Sequence, residues 1–131
     1  MIQLDTSVLI DALTGPRRLA PALREAIEAG ERVMLSSIVL YEWLRGPRIA
    51  EELEAQEALF PSASAVAFGF VEAALAANLY RAVRRPRGRE IDLAVAACSL
   101  SHGSLLWTRN AEDFADVPNL RLYVPRPRAG R

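Results

Sequence analysis

Several residue types are scarce in this sequence, and each shortage excludes a class of protein. Its 131 residues include one cysteine, one histidine and no lysine, and the formal net charge is zero. A lone cysteine cannot build a disulfide framework, so Cys98, in the apolar stretch IDLAVAACSL, is interpreted as a small core residue in a reducing, intracellular compartment. Zero net charge argues against a simple polycationic nucleic-acid binder. The only histidine, His102, is predicted at the carboxyl end of a helix. This position disfavours histidine-based nuclease chemistry and a Ser-His-Asp triad.

Long apolar runs and a basic leader are missing as well. No run of about 18 apolar residues occurs, and the start MIQLD lacks the basic region of a secretory signal. We therefore expect a cytoplasmic protein that does not enter a membrane. A chain of 131 residues can bury the core of one domain. We place that domain at residues 1–125 and expect a loose basic tail at 126–131.

Arginine supplies all of the basic side chains, 16 in total. Several of them concentrate in the segment RRPRGR at 84–89 and in the tail RPRAGR. The planar guanidinium of arginine suits phosphate. A coding preference for arginine, with solvated turns and a disordered tail, explains the same pattern. Both interpretations stay open at this point.

The chain is predicted to alternate between strands and helices. Short apolar segments predict five strands, at 1–5, 31–36, 64–68, 104–108 and 120–124. Residues at helical spacing lie between them, such as Leu19, Leu23 and Ile27 before a stop at Gly30, and two further helices are separated at 46–47. The predicted strands are apolar throughout and do not alternate between apolar and polar residues. This pattern indicates a parallel sheet covered on both faces. The expected fold class is therefore α/β.

The predicted topology places several acidic residues at one edge of the sheet. Functional residues of an open parallel sheet collect at the carboxyl ends of its strands, and Asp5 ends the first strand. Asp113, in TRNAED, follows the fourth strand, and Asp92 stands at the start of a helix that begins at the same edge. Glu42 lies between one and two turns into the helix after strand two. We expect these side chains to converge.

Each of these acids also has a purely structural explanation. Asp5 and Asp92 stand where a helix N-cap is wanted, and Asp113 could cap a short turn. Glu42 is harder to explain in this way, because its helix is apolar nearly all round and a buried carboxylate must be paired or bind a cation. Four neighbouring acids repel one another, so the cluster predicts a site for a hard divalent cation such as Mg²⁺ or Mn²⁺.

Four motifs together resemble the PIN-domain ribonucleases, in particular the VapC-type toxins of toxin–antitoxin pairs: LDTSVLI, the glutamate in YEWLRG, EIDLAVAACSL, and TRNAEDF followed by VPNLRLY. The resemblance spans nearly the whole chain. It implies a three-layer α/β/α sandwich with a central parallel sheet, which the five predicted strands would form, a homodimer, and an antitoxin that wraps the toxin and blocks its site. It also implies a set of functional residues, with the metal held by an acidic cluster and polar groups in support: Asp5, Glu42, Asp92 and Asp113, with Thr6 and Asn110.

The resemblance implies a metal-dependent endoribonuclease that hydrolyses RNA phosphodiester bonds with Mg²⁺ or Mn²⁺ as cofactor. We expect Asp5 and Asp92 to be the most direct ligands and Asp113 a third or water-mediated one. Glu42 would orient the attacking water or act as base. Arg85 and Arg87 are the candidates for holding the RNA backbone.

Neighbouring acids and two other classes of protein offer alternatives to this hypothesis. Glu90, Glu112 and Asp116 rank below the motif acids, with Glu90 placed before its helix, and Asp11 is expected to be a solvated helix residue. A phosphoryl-transfer domain of the receiver or phosphatase kind also gathers aspartates at such an edge, but it usually relies on a lysine. A non-catalytic binding module whose acids serve only as caps is the other alternative.

Overall fold

The computed structural model describes residues 1–126, and its core is a small parallel sheet surrounded by helices. Residues 127–131, which hold most of the predicted basic tail, lie outside the described part. Short 3-10 helices occupy Ser62–Ser64 and Ala111–Phe114. The remaining elements follow one another as β1 (Ile2–Leu4), α1 (Thr6–Leu13), α2 (Ala20–Glu28), β2 (Val33–Met34), α3 (Ser37–Arg45), α4 (Ala50–Leu59), α5 (Phe70–Ala82), α6 (Glu90–Ser101) and β3 (Leu105–Trp107).

The sheet has the order β2-β1-β3, with all pairings parallel. Ile2 pairs with Val33 on one side and with Leu105 on the other, and Leu4 pairs with Trp107. The first strand of the chain is therefore the central strand of the sheet. The parallel arrangement confirms the α/β prediction, and it brings the carboxyl ends of β1 and β3 side by side.

The expectation of a five-stranded sheet is wrong for the described residues. The segments predicted at 64–68 and 120–124 each join the sheet through a single bridge, Ser36 with Val66 and Leu106 with Leu122. A 3-10 helix takes up the start of the first segment. Pro118 precedes the second segment and Asn119 has a φ of 65°, so the chain turns sharply there and little length remains for pairing. The sheet thus has three strands, with a short extended segment at each edge.

Both faces of the central strand are covered. Ile2, Gln3 and Leu4 are 1%, 2% and 0% exposed, and successive residues of a strand point to opposite faces. This coverage agrees with the predicted three-layer arrangement. The amide of Gln3 is satisfied inside the core, because its Nε2 donates to the Cys98 carbonyl at 3.0 Å. Cys98 is fully buried, which confirms it as a core residue, and burial raises the pKa of its thiol to about 11.

The helices begin and end largely where the sequence predicts. Gly30 has a φ of 87° just after α2, a conformation that favours glycine. Helices α3 and α4 are separated at Gly46 and Pro47. The apolar character of α3 does not mean that the helix is buried on all sides, because Tyr41 and Leu44 are 54% and 51% exposed. Within residues 1–126, no helix has the length and apolar character needed to cross a membrane.

Candidate active site

Asp5 follows directly after the central strand, and hydroxyl groups hold its side chain. Thr108 Oγ1 donates to Asp5 Oδ2 at 2.7 Å, and Ser7 Oγ donates to the same oxygen at 2.9 Å. The residue occupies the N-cap position of α1, yet its side chain caps no backbone N–H within the described residues. It is only 5% exposed. Capping therefore does not explain this buried carboxylate.

The same hydroxyl groups connect the ends of the first and last strands. The backbone N–H of Asn110 donates to Thr108 Oγ1 at 3.0 Å, and that of Arg109 donates to Ser7 Oγ at 3.1 Å. Asn110, predicted as a supporting residue, thus takes part through its backbone, while the residue as a whole is exposed. Sequence reasoning missed Ser7 and Thr108. The available signal was a hydroxyl residue after each of the two strands that meet at this edge.

Glu42 lies on the partly covered side of α3 and is held by α1. Thr6 Oγ1 donates to Glu42 Oε1 at 2.6 Å, which links Thr6, a predicted supporting residue, to a predicted acid. Arg45 Nη2 lies 3.4 Å from Glu42 Oε2, but the arginine side chain is 52% exposed, which makes this a weak ion pair. The Glu42 side chain is 19% exposed. The carboxylate is therefore fixed in direction by Thr6 and still reachable by water.

The pKa of Asp92 is raised by burial and by the other predicted acids. This pKa is raised to about 6, first by burial and then by the negative charges of Asp5, Asp113 and Glu42. The fold thus brings Asp5, Glu42 and Asp113 within electrostatic reach of Asp92. Asp92 is the third residue of α6, whose N-cap is Arg89, so the capping explanation is wrong for this aspartate.

Asp113 is exposed on the 3-10 helix Ala111–Phe114, whose N-cap is Asn110. Its backbone N–H donates to the Asn110 carbonyl at 2.9 Å, and its own carbonyl accepts from Arg89 Nη2 at 2.9 Å. Arg89 also binds both carboxylate oxygens of Asp116, at 2.6 and 2.9 Å. Sequence reasoning did not single out Arg89, which here joins the start of α6 to the segment that carries Asp113.

The other nearby acids have structural partners. Glu90 is the first residue of α6 rather than a residue before it, and its Oε1 accepts from the Gly88 N–H at 3.3 Å. Asp11 is not solvated as expected, because its side chain is 14% exposed and pairs with Arg109 at 3.2 Å. Its helix faces the segment after β3, which the local sequence pattern does not reveal.

The oxygen donors of the predicted acids suit a divalent cation. The candidate ligands are all carboxylate oxygens, the hard donors that Mg²⁺ and Mn²⁺ prefer. Among residues 1–126, no three carboxylate, histidine or cysteine side chains stand close enough to share one ion directly. Mg²⁺ is usually bound through one or two carboxylates and keeps several waters. The all-oxygen donors, and the burial and like charges that raise the pKa of Asp92, therefore fit such an ion.

An open cleft of about 670 Å³ borders the carboxylates on the side of Asp113. Its lining includes Arg84, Arg85 and Arg89 together with Asp113 and Asp116. Arg87, the second predicted RNA contact, is exposed but does not line this cleft.

A family model and a known relative each match most of this chain. A family model described as PIN domain matches residues 2–120. Ribonuclease VapC19 of Mycobacterium tuberculosis is 33% identical over 123 residues, which cover 90% of this chain and 95% of that protein.

Solved structures share the fold at lower sequence identity. A chain of the DNA-bound VapBC from Salmonella typhimurium aligns with a TM-score of 0.73 and 22% identity, covering 93% of this chain and 96% of that one. A chain of a toxin–antitoxin complex from Klebsiella pneumoniae gives a TM-score of 0.70 and 24% identity, with coverage of 96% and 98%.

Proposed function

Because the chain belongs to the PIN-domain family, as its match over residues 2–120 and its VapC19 relative show, we propose that it is a VapC-type toxin that hydrolyses RNA with a divalent cation. The observation that carries the proposal is the buried carboxylate of Asp5, which two hydroxyl groups hold at the carboxyl end of the central strand. Burial and the charges of Asp5, Asp113 and Glu42 also raise the pKa of Asp92 in α6. Burial beside like charges is costly unless a cation compensates for it. The proposed cofactor is Mg²⁺ or Mn²⁺.

Each carboxylate has a proposed role. Asp5 and Asp92 are the direct ligands, because Asp5 is buried at the end of the central strand and Asp92 is half-buried in the first turn of α6. Asp113, which is exposed, acts as a third ligand or through water. When bound, the cation supplies Lewis-acid activation of water and neutralises charge on the phosphate and the leaving oxygen.

Glu42 is proposed to orient the attacking water or to accept its proton. The 2.6 Å bond from Thr6 occupies one oxygen, Oε1, and so fixes the direction of the other. The hydroxyls of Ser7 and Thr108 hold Asp5 Oδ2 in the same manner. Residues that hydrogen-bond to metal ligands orient those ligands and are important for metal affinity.

The substrate and partners follow from the family and from the surface of the site. RNA is the proposed substrate, and Arg85 supports this because it lines the cleft beside Asp113. Arg87 remains a predicted RNA contact outside that cleft. A cognate antitoxin is the proposed partner, since related chains are solved within toxin–antitoxin complexes. A homodimer is also proposed, and exposed apolar side chains such as Phe70, which is 86% exposed, support it. The cytoplasmic location stays a prediction.

The test of the proposal needs no knowledge of the target RNA. Thermal unfolding of the purified chain is measured with EDTA and with millimolar Mn²⁺ or Mg²⁺, for the wild type, Asp5→Asn and Asp92→Asn. A cation that binds only the native state raises the midpoint, and both variants should lose that response. Cleavage of total cellular RNA, with the new ends mapped, then tests the reaction. A wild-type midpoint indifferent to both cations would contradict the proposal.

A further inference from the structure

Arg89 occupies a position that its local structure does not favour. It is the N-cap residue of α6 and makes no side-chain capping bond among residues 1–126. Ser, Thr, Asp and Asn are the residues preferred at an N-cap, and a positive charge is unfavourable at the amino end of a helix because of the helix dipole. A tertiary role must therefore account for arginine here.

Its contacts supply that role. The guanidinium binds Asp116 through its two terminal nitrogens, with Nη2 donating to Oδ1 at 2.6 Å and Nη1 donating to Oδ2 at 2.9 Å. Nη2 also donates to the Asp113 carbonyl at 2.9 Å. The Arg89 side chain is 21% exposed, whereas Asp116 is 46% exposed. A bidentate arginine–carboxylate pair is directional as well as attractive. This pair spans 27 positions of sequence and joins the start of α6 to the turn that carries Asp113.

The backbone of Arg89 is equally well defined. Its N–H donates to the Pro86 carbonyl at 3.0 Å, and its carbonyl accepts from the Leu93 N–H at 2.9 Å, in the first turn of α6. Asp92 lies three residues further along that helix. The backbone of Arg89 is thus fixed to the helix that carries Asp92, and its guanidinium binds the backbone of Asp113.

We propose that Arg89 is a positioning residue of the carboxylate site: its bonds to Asp116 and to the Asp113 carbonyl set the position of Asp113 relative to Asp92. The inference rests on the proposed function, because it assumes that these acids bind a cation. Arg89 does not contact RNA or cation in this role. Asp116 pairs with its charge, and the link ties the two acidic segments together.

The sign of the effect separates positioning from charge. If Arg89 acted only through its charge, removing that charge would strengthen cation binding, because a positive group near the site repels the cation. If Arg89 positions Asp113, the same substitution weakens cation binding. Lysine keeps the charge but cannot form the two-pronged bond, so Arg89→Lys gives a second and independent comparison.

The experiment is a Mn²⁺ titration of the full chain, followed by the shift of its urea unfolding midpoint relative to the midpoint in EDTA. The variants are Arg89→Gln, Arg89→Lys, Asp116→Asn and the double variant Arg89→Gln with Asp116→Asn. Arg84→Gln is the matched control, because it removes an exposed arginine from the same loop. The midpoint in EDTA records any loss of stability that does not involve the cation.

We expect the three single variants to weaken Mn²⁺ binding about 10-fold or more, the lower end of the range for residues that orient ligands. The double variant should be no weaker than either parent, because both substitutions break one link. The control should bind like the wild type. Equal or tighter Mn²⁺ binding in Arg89→Gln overturns the inference while the proposed function stands. A wild type that does not respond to Mn²⁺ overturns both.

Discussion

The replacement of Asp92 by asparagine should stabilise the protein when no cation is bound. Asparagine keeps the shape of the side chain and removes its charge. The pKa of Asp92 lies at about 6 instead of 3.8 because of burial and of three neighbouring acids. The charged form is therefore unfavourable in the native state at neutral pH, and the neutral amide relieves that cost.

The magnitude follows from the size of the shift. A rise from 3.8 to about 6 corresponds to roughly 3 kcal/mol at ~1.4 kcal/mol per pKa unit. Asp92 is only partly buried, so solvent screening lowers the effect to about 1–2 kcal/mol. The folded pKa lies above the unfolded value, so the native state binds the proton more tightly. The contribution of Asp92 is therefore fully present below about pH 4 and is lost as pH rises through 6.

The assay is urea unfolding in EDTA, at pH 4 and at pH 7.5, for the wild type and Asp92→Asn. Other carboxyls, such as Glu57 and Glu72, have pKa values lowered by side-chain hydrogen bonds and act in the opposite sense. They cancel in the difference between the two proteins. We expect Asp92→Asn to be about 1–2 kcal/mol more stable at pH 7.5 and equal to the wild type at pH 4.

Saturating Mn²⁺ should reverse the order at pH 7.5. A cation at 100 times its Kd stabilises the native state by ~2.7 kcal/mol, and the wild type should gain this while Asp92→Asn should not. A variant that is less stable than the wild type in EDTA at pH 7.5 would refute the electrostatic reasoning. A stability difference that is independent of pH would refute it as well.

Three further predictions concern the surroundings of the cluster. Thr108→Val removes the 2.7 Å bond to Asp5, and we expect a loss of about 1–3 kcal/mol in unfolding free energy together with weaker binding of Mn²⁺ in the same titration. Alanine at Arg85 and Arg87 should flatten the salt dependence of RNA binding by roughly 1.4 in the log–log slope; an unchanged slope assigns that loop to structure or to antitoxin contact. Phe70→Asp should dissociate the proposed homodimer in analytical ultracentrifugation while urea unfolding changes by less than ~0.5 kcal/mol, and an intact dimer places the interface elsewhere.

The topology could be predicted from the sequence because its signals are local. Apolar strands, helical spacing and stops such as Gly30 fix the order of elements, and a parallel sheet then sends Asp5 and Asp92 to one edge. The count of strands could not be predicted. Whether an apolar segment pairs along its length or at one residue depends on its neighbours, and the segments around Val66 and Leu122 pair at one residue.

The partners of the acids were beyond the reach of the sequence. The contact of Thr6 with Glu42 spans 36 positions, and that of Thr108 with Asp5 spans 103. Such distant pairs leave no periodic signal. The same limitation applies to Arg89, which the sequence shows only as one arginine among several in a loop. The acids themselves could be proposed as candidates from the sequence because each lies near a strand end or in the first turns of a helix.

The position of the first strand in the middle of the sheet has a consequence for synthesis of the chain. β1 is made first, but one of its two neighbours, β3, is made near the end. Asp5 gains its bond from Thr108 only after the chain has been translated almost completely. A ribosome-bound fragment that stops before β3 therefore has no assembled carboxylate site. The nuclease that we propose would therefore stay inactive until β3 and the segment that carries Asp113 have been made.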